Sequence, residues 1–234
     1  GESQSGLKSR ALRLGASFDV ADDWTVFATY GSGSFAQSAT ARDGSAITDP
    51  KRVANIEAGV KWVLPGGKAL ATAAVYRLRE RNLLADDCSA TEPECRAQKL
   101  VGGRRIDGLE IDLRGELARE LQIGAGLSLQ DATILESPGG FSGNRFSNTP
   151  RVQATAFASY GWGAMGLAPL KTSLGVVHIG RRFGNSGNTV PLPAYTLLNL
   201  GARWQFTPAT SVQLDASNLL DKTYYTAMQD NDST

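Results

Sequence analysis

Leu12-Arg13-Leu14-Gly15-Ala16-Ser17-Phe18-Asp19-Val20 sets the period of the whole chain. Successive side chains of an extended backbone point to opposite faces, so Leu12, Leu14, Ala16, Phe18 and Val20 share one face and Arg13, Gly15, Ser17 and Asp19 the other. The same period recurs in Ile56, Ala58, Val60 and Trp62 against Glu57, Gly59 and Lys61, and in Leu109, Ile111 and Leu113 against Glu110, Asp112, Arg114 and Glu116. It returns in Leu198, Leu200, Ala202, Trp204 and Phe206 against Asn199, Gly201, Arg203 and Gln205, and in Val212, Leu214 and Ala216 against Gln213, Asp215 and Ser217. About ten strands are predicted, near residues 9–21, 24–32, 53–64, 68–81, 105–118, 121–133, 151–162, 171–181, 195–206 and 211–222. Most are longer than the five or six residues usual in globular sheets. The eighth has an ambiguous register, because Leu174 and Val176 favour one face and Val177 and Ile179 the other.

The connections sort by length. Asp22-Asp23, Pro65-Gly66-Gly67, the stretch around Arg119-Glu120, Gly163 to Pro169 and Thr207 to Thr210 are short. Residues 33–52, 82–104, 134–150 and 182–194 are longer, and long alternates with short. Trp24 opens a strand just after a short turn, and Trp62, Trp162 and Trp204 each close one just before a short turn. An indole has an apolar body and one polar donor, so a row of them at one end of a sheet suits an aromatic girdle at a membrane interface. A soluble sheet gives no reason for either sorting. The expected fold is therefore all-β: an antiparallel transmembrane β-barrel segment. Arg77, Arg79, Glu110, Asp112, Arg114, Glu116 and Arg203 are expected on its inner, wet face, pairing mostly with one another.

Composition sets the bounds. The 234 residues carry 24 Lys+Arg and 23 Asp+Glu, a net charge of +1 that points to no nucleic-acid partner. No run approaches the roughly 18 apolar residues of a membrane-crossing helix, whereas a barrel strand needs only about 9–11 residues, every second one apolar. The two cysteines, Cys88 and Cys95, lie in a polar stretch without a histidine nearby. A small disulfide-closed loop in an oxidising compartment is favoured over free thiols or a metal site.

Several segments resemble the C-terminal barrel of TonB-dependent outer-membrane receptors, on the siderophore branch. The sharpest is Asn218-Leu219-Leu220-Asp221-Lys222-Thr223-Tyr224-Tyr225, which resembles the family's penultimate-strand signature. Asn188 to Leu197, Glu57-Ala58-Gly59-Val60-Lys61, Gly108-Leu109-Glu110 through Asp131-Ala132, and Asn148-Thr149-Pro150-Arg151 match in the family's order. The resemblance implies about ten strands of a plugged 22-stranded barrel, with residues 1–234 all in one barrel domain. The final strand, the plug, the coupling box and the first half of the barrel are then expected outside this chain. It implies energy-coupled uptake of a ferric siderophore in a Gram-negative outer membrane. The chelate is cargo, with no covalently bound cofactor, and the partners are the TonB complex, outer-membrane lipid and lipopolysaccharide. A passive porin, an autotransporter barrel, a soluble β-sandwich, or a haem, cobalamin or oligosaccharide receptor stand as alternatives.

Enzymatic chemistry has little support. The one histidine, His178, sits on the ambiguous strand and reads as a wall residue. Asp230 and Asp232 lack further metal ligands nearby, and Gly139-Gly140 and Gly184 to Gly187 carry no phosphate-binding motif. Arg42, Arg104, Arg105, Arg145, Arg181 and Arg182 fall in or beside the long connections, where they suit an anionic chelate, lipopolysaccharide phosphates or plain solvation.

Overall fold

Ten long strands pair, each with its neighbour, in one antiparallel sheet. The computed structural model describes residues 9–86, 96–137 and 140–228. The strands are β1 (Arg10–Ala21), β2 (Trp24–Phe35), β3 (Ala39–Thr40), β4 (Ala46–Ile47), β5 (Lys51–Val63), β6 (Ala69–Asp86) and β7 (Gln98–Ala118). They continue with β8 (Leu121–Glu136), β9 (Val152–Gly161), β10 (Leu170–Ile179), β11 (Arg182–Phe183), β12 (Pro191–Leu192), β13 (Tyr195–Thr207) and β14 (Thr210–Ala216). The large sheet runs β1-β2-β5-β6-β7-β8-β9-β10-β13-β14, while β3–β4 and β11–β12 are small hairpins inside long loops. Among the described residues no helix is long and apolar enough to cross a membrane.

Register fixes what each face carries. One cross-strand row reads Ala16, Ala28, Ala58, Val75, Leu109, Leu129 and Val152. Further across, Ala156, Val176 and Leu198 align in the same way. Each strand contributes about four or five such apolar positions at two-residue spacing. At about 3.3 Å per residue and a tilt near 40°, this gives a band roughly 20–25 Å tall, matching the apolar belt of transmembrane barrels.

The sheet has almost no core. Among the described residues the buried apolar side chains are only Ala69, Ala74, Ala132, Ile134 and Leu192. Phe18 is 69% exposed, Leu214 71% and Val75 57%, all on the apolar face. A contiguous apolar surface of this size is not stable against water and requires a covering phase.

Several expectations need correction. Arg77 and Arg79 lie on the apolar face, opposite Ile56 and Ala54, and not on the inner wall. The cause is strand length. β6 runs to Asp86, so its upper half rises past the apolar band, where outward positions no longer need to be apolar. β7 likewise begins at Gln98, which makes Arg104 and Arg105 strand residues and shortens the connection expected at 82–104. The last strand ends at Ala216 and not near 222, because Asn218 and Asp221 adopt left-handed backbone (φ 50° and 46°) and turn the chain. Trp162 stands just beyond β9, leading into a 3-10 turn over Gly163–Met165. The eighth large strand, β10, has an unbroken register with both neighbours: Leu174 and Val176 face outward, Val177 and Ile179 inward.

The sheet is open, with β1 and β14 at its edges. In hydrocarbon each unpaired edge N–H and C=O costs several kcal/mol. A polypeptide of these 234 residues alone should therefore give no heat-resistant folded band on semi-native gels in detergent. The appearance of such a band would refute this.

Candidate functional site

The inner wall, the outer wall and the long-loop rim each present a distinct chemistry. On the inner wall, Glu57, Lys61, Glu110, Asp112, Arg114 and Arg203 alternate with the apolar outward positions. Lys68 Nζ meets Glu116 Oε1 at 2.7 Å, Lys61 lies 5.2 Å from the Phe27 ring, and Arg203 reaches Gln205 Oε1 at 3.3 Å. Aromatic rings lie flat on this wall where glycine lets them. A Cβ at Gly59 would stand 2.7 Å from Phe27 Cζ, and one at Gly108 would strike the Tyr76 ring. Tyr76 thereby reaches across β7 to Gln130 Oε1 at 3.3 Å. Nearby lies a shallow cavity of about 380 Å³, lined by Glu110, Asp112, Ser128, Gln130, Gln153 and Thr155.

At the upper rim of the inner wall, Glu80 is 6% exposed and binds two cations. Lys51 Nζ lies 2.8 Å from its Oε1, and Arg104 pairs with its Oε2. Arg104 also stacks 4.4 Å from the Phe146 ring, so it is held between strand and loop.

The rim itself is tied by asparagines. Asn188 (φ 57°) donates from Nδ2 to Arg145 O at 2.9 Å and accepts from Arg145 N at 2.9 Å. Asn148 (φ 56°) donates to Met228 O at 2.8 Å and accepts from Met228 N at 3.0 Å. Asn218 does the same to Lys222, at 3.1 and 2.9 Å. An amide side chain presents a donor and an acceptor side by side, as a strand residue's backbone does. Asparagine also tolerates the left-handed region. Asn185 Oδ1 accepts from the N–H groups of Thr189 and Val190, both at 3.0 Å. Arg182, 3% exposed, donates to Tyr225 O and Thr226 O, and Tyr224 packs 4.4 Å from Tyr195. The segment after β14 is thus clasped to the loops at 140–150 and 182–194.

The expected site residues divide accordingly. Arg182 is a buried structural tie, Arg104 is bound by Glu80, and Arg105 pairs outward with Asp107 at 2.9 Å. Arg145 stacks over Phe183 at 5.9 Å, Arg181 is exposed, and Arg42 lies in the β3–β4 hairpin. In that hairpin, hydrogen bonds from the Ser45 hydroxyl and N–H hold the Asp43 carboxyl below its ordinary range. Asn218, Leu219, Leu220 and Asp221 form the turn after β14, with Leu219 N bonded to Leu198 O at 2.8 Å. Tyr225 contributes its carbonyl rather than its exposed ring. Cys88, Cys95, Asp230 and Asp232 lie outside the described residues, as does Gly139 of the glycine pair. The tie residues Asn148, Asn185 and Asn188 were not distinguishable as such, though two of them open segments that resemble the family.

On the outer wall, Trp24 stacks on Trp62 (5.2 Å, 11°), and Trp62 Nε1 donates to Asp23 at 3.2 Å. Trp162 meets Tyr160 edge-on at 5.2 Å and donates to Thr172 at 3.0 Å, and Trp204 lies 6.4 Å from Phe206. His178 faces outward at the band's upper edge, its Nδ1 2.9 Å from Thr196 Oγ1. Among the described residues no cluster of three or more acidic, His or Cys side chains could hold a metal.

The model of the TonB-dependent receptor-like β-barrel matches residues 9–219. The chain belongs to that family. Among TonB-dependent receptors it is 26% identical over 224 residues to the metal-pseudopaline receptor CntO of Pseudomonas aeruginosa, covering 95% of this chain and 31% of that protein. It is 28% identical over 200 residues to the ferrioxamine B receptor of Salmonella typhimurium, covering 84% of this chain and 28% of that one. It superimposes on the pyoverdine outer-membrane receptor FpvA from P. aeruginosa, solved bound to pyoverdine, with a TM-score of 0.76 and 25% identity over 94% of this chain and 33% of that one. This chain therefore spans about a third of the length of such receptors.

Asn148→Ala or Asn188→Ala removes a donor and an acceptor together and leaves alanine at positive φ. Each should destabilise the rim locally by about 1–3 kcal/mol. In the full-length receptor, the amides of Met228 and Arg145 respectively should exchange hydrogen faster, with the strand amides unchanged. Unaltered exchange at both would show that the clasps carry no weight.

Proposed function

We propose that this chain is part of the barrel wall and external rim of an outer-membrane receptor that imports a ferric siderophore by coupling to TonB. The single observation that carries this reading is the division of the sheet, over the height of the apolar band, into an exposed apolar outer face and a polar inner wall, capped by a tied loop rim. It is supported by relatives named as receptors for metal-pseudopaline and ferrioxamine B. On this reading residues 1–234 lie in one barrel domain, and the plug that contacts TonB is supplied by other parts of the protein. The outer face meets lipid and lipopolysaccharide. Trp24, Trp62, Trp162 and Trp204 sit in the headgroup layer at the short-turn side, which is periplasmic. The loop rim grips the chelate, with Arg42, Arg145 and Arg181 as its cations. Cys88 and Cys95, in the sequence between β6 and β7, are joined as a disulfide on this reading.

No bond is made or broken in this role. The wall supplies a rigid, hydrogen-bonded frame and the rim positions the cargo, so binding strength and release are the quantities that matter. A passive pore with the same wall would conduct without an energy source.

The intact receptor should therefore carry a radiolabelled ferric hydroxamate or pyoverdine-type chelate into iron-starved cells, and a protonophore should abolish that transport. Uptake that survives collapse of the proton gradient would identify a passive pore instead. Independently, nitroxides at Leu14, Val60 and Leu200 should be quenched by lipid-soluble reagents; protection at all three would remove the membrane assignment.

A further inference from the structure

We infer that the outer wall bears a built site for the phosphate groups of an outer-leaflet glycolipid, made by Arg10, Arg52, Arg79 and Arg81. Register carries the assignment. Arg10, Ser34, Arg52 and Arg81 form one cross-strand row on the outward parity, and Leu12, Ser32, Ala54 and Arg79 form the row below it. All four arginines are exposed, and they line a shallow cavity of about 640 Å³ with Leu12, Ser32 and Ser34.

Among the described residues no carboxylate compensates their charges. Arg52 stands directly opposite Arg81, and Arg79 directly opposite Arg105. Like charges facing each other across a ladder destabilise a sheet. Elsewhere on the same face the arginines have carboxylates: Arg77 and Arg105 share Asp107, and Arg151 Nη2 lies 3.0 Å from Asp131. Among the described residues none of the four makes an ion pair with a carboxylate. The Arg52–Arg81 pairing has no carboxylate beside it among the described residues, and Arg10 and Arg79 add two more guanidinium groups next to it, a concentration of positive charge that suits an anion.

Height selects the anion. Arg10 is the next outward residue after Leu12, and Arg52 the next after Ala54, so both lie about 5 Å above the apolar band. Arg79 and Arg81 lie four and six residues beyond Val75 on β6, about 10–15 Å above it on the same geometry. This is the layer just outside the hydrocarbon, at the long-loop end. Leu12 at the base of the cavity is 51% exposed and offers an acyl chain a contact directly below the guanidinium groups. An acylated, multiply phosphorylated sugar headgroup such as lipopolysaccharide combines both features, and the guanidinium fork suits phosphate. The inference rests on the outward face meeting lipid.

The test uses the full-length receptor in detergent, with bisphosphoryl lipid A, monophosphoryl lipid A and inorganic phosphate as probes. R52Q/R79Q/R81Q should bind bisphosphoryl lipid A about a hundredfold more weakly, taking roughly fivefold per arginine. R52K/R79K/R81K should lose much less, and monophosphoryl lipid A should bind the wild type more weakly than the bisphosphoryl form. Equal affinity of wild type and glutamine variant overturns the inference, and so does equal binding of the two lipids to wild type. Equal competition by inorganic phosphate points to a free-anion site and overturns the glycolipid. Should the glutamine variant fail to fold, the lipid series on wild type decides alone. A probe at Leu14 separates the two readings: protected from lipid, the membrane wall itself fails; in lipid with unchanged lipid A affinity, only the arginine site fails.

Discussion

Side-chain alternation locked by a continuous register is the constraint on which the rest depends. Because the period is two, a slip of one residue between β5 and β6 would move Val75 to the inner wall and Tyr76 to the outer one. It would also lift Tyr76 from Gly108 and separate Lys51 from Glu80. Twelve consecutive residue pairs join β5 to β6, from Arg52↔Arg81 to Val63↔Leu70, without a bulge. Three of the four shifts, between Asp19 and Ala21, Glu116 and Ala118, and Gln205 and Thr207, sit beside short turns, and the fourth, between Gly103 and Arg104, lies at the long-loop end above the apolar band, so all fall where parity no longer has to be kept. The sheet is thus specified by a pattern and not by a packed core.

That explains what could be read in the sequence. Ten strands, their order and the sorting of loops follow from period and turn chemistry, both of which are local. Arg77 and Arg79 read as inward from the sequence because a charged residue suits the wet face, yet they point outward. That rule holds only within the height of the hydrocarbon, and β6 and β7 extend well beyond it. Strand length above the membrane leaves no hydrophobic signal, since either face is then wet. β10 looked ambiguous for a related reason: Val177 and Ile179 pair with Leu197 and Tyr195 on the inner side, where Tyr224 packs onto Tyr195. Apolar residues on both faces mean covering from both sides.

The rim was legible as motif and illegible as mechanism. Asn148, Asn188 and Asn218 each open a segment that resembles the family, yet nothing local says that their amides bond Met228, Arg145 and Lys222. The partners of the first two lie 80 and 43 residues away in sequence. The structure shows one device used three times. A left-handed asparagine sits in a turn or bend, and its side chain pairs with the backbone of another residue in place of a strand neighbour. Loops that would otherwise expose backbone groups are fixed without a hydrophobic core, in a region too wet to build one.

The arginines show how the same residue type is sorted by geometry. Arg104 points inward to Glu80, Arg182 is buried against two carbonyls, and Arg77 and Arg105 share Asp107. Each has a partner within the sheet or rim. The four arginines Arg10, Arg52, Arg79 and Arg81, without a carboxylate partner among the described residues, gather on one face of β1, β5 and β6, above the apolar band and at the end opposite the tryptophans. The two ends of the sheet therefore differ in two independent ways, indole at one and uncompensated guanidinium at the other. A symmetric environment would select neither difference. On the proposed reading, a bilayer whose outer surface carries dense phosphate would select both, with the long loops outward.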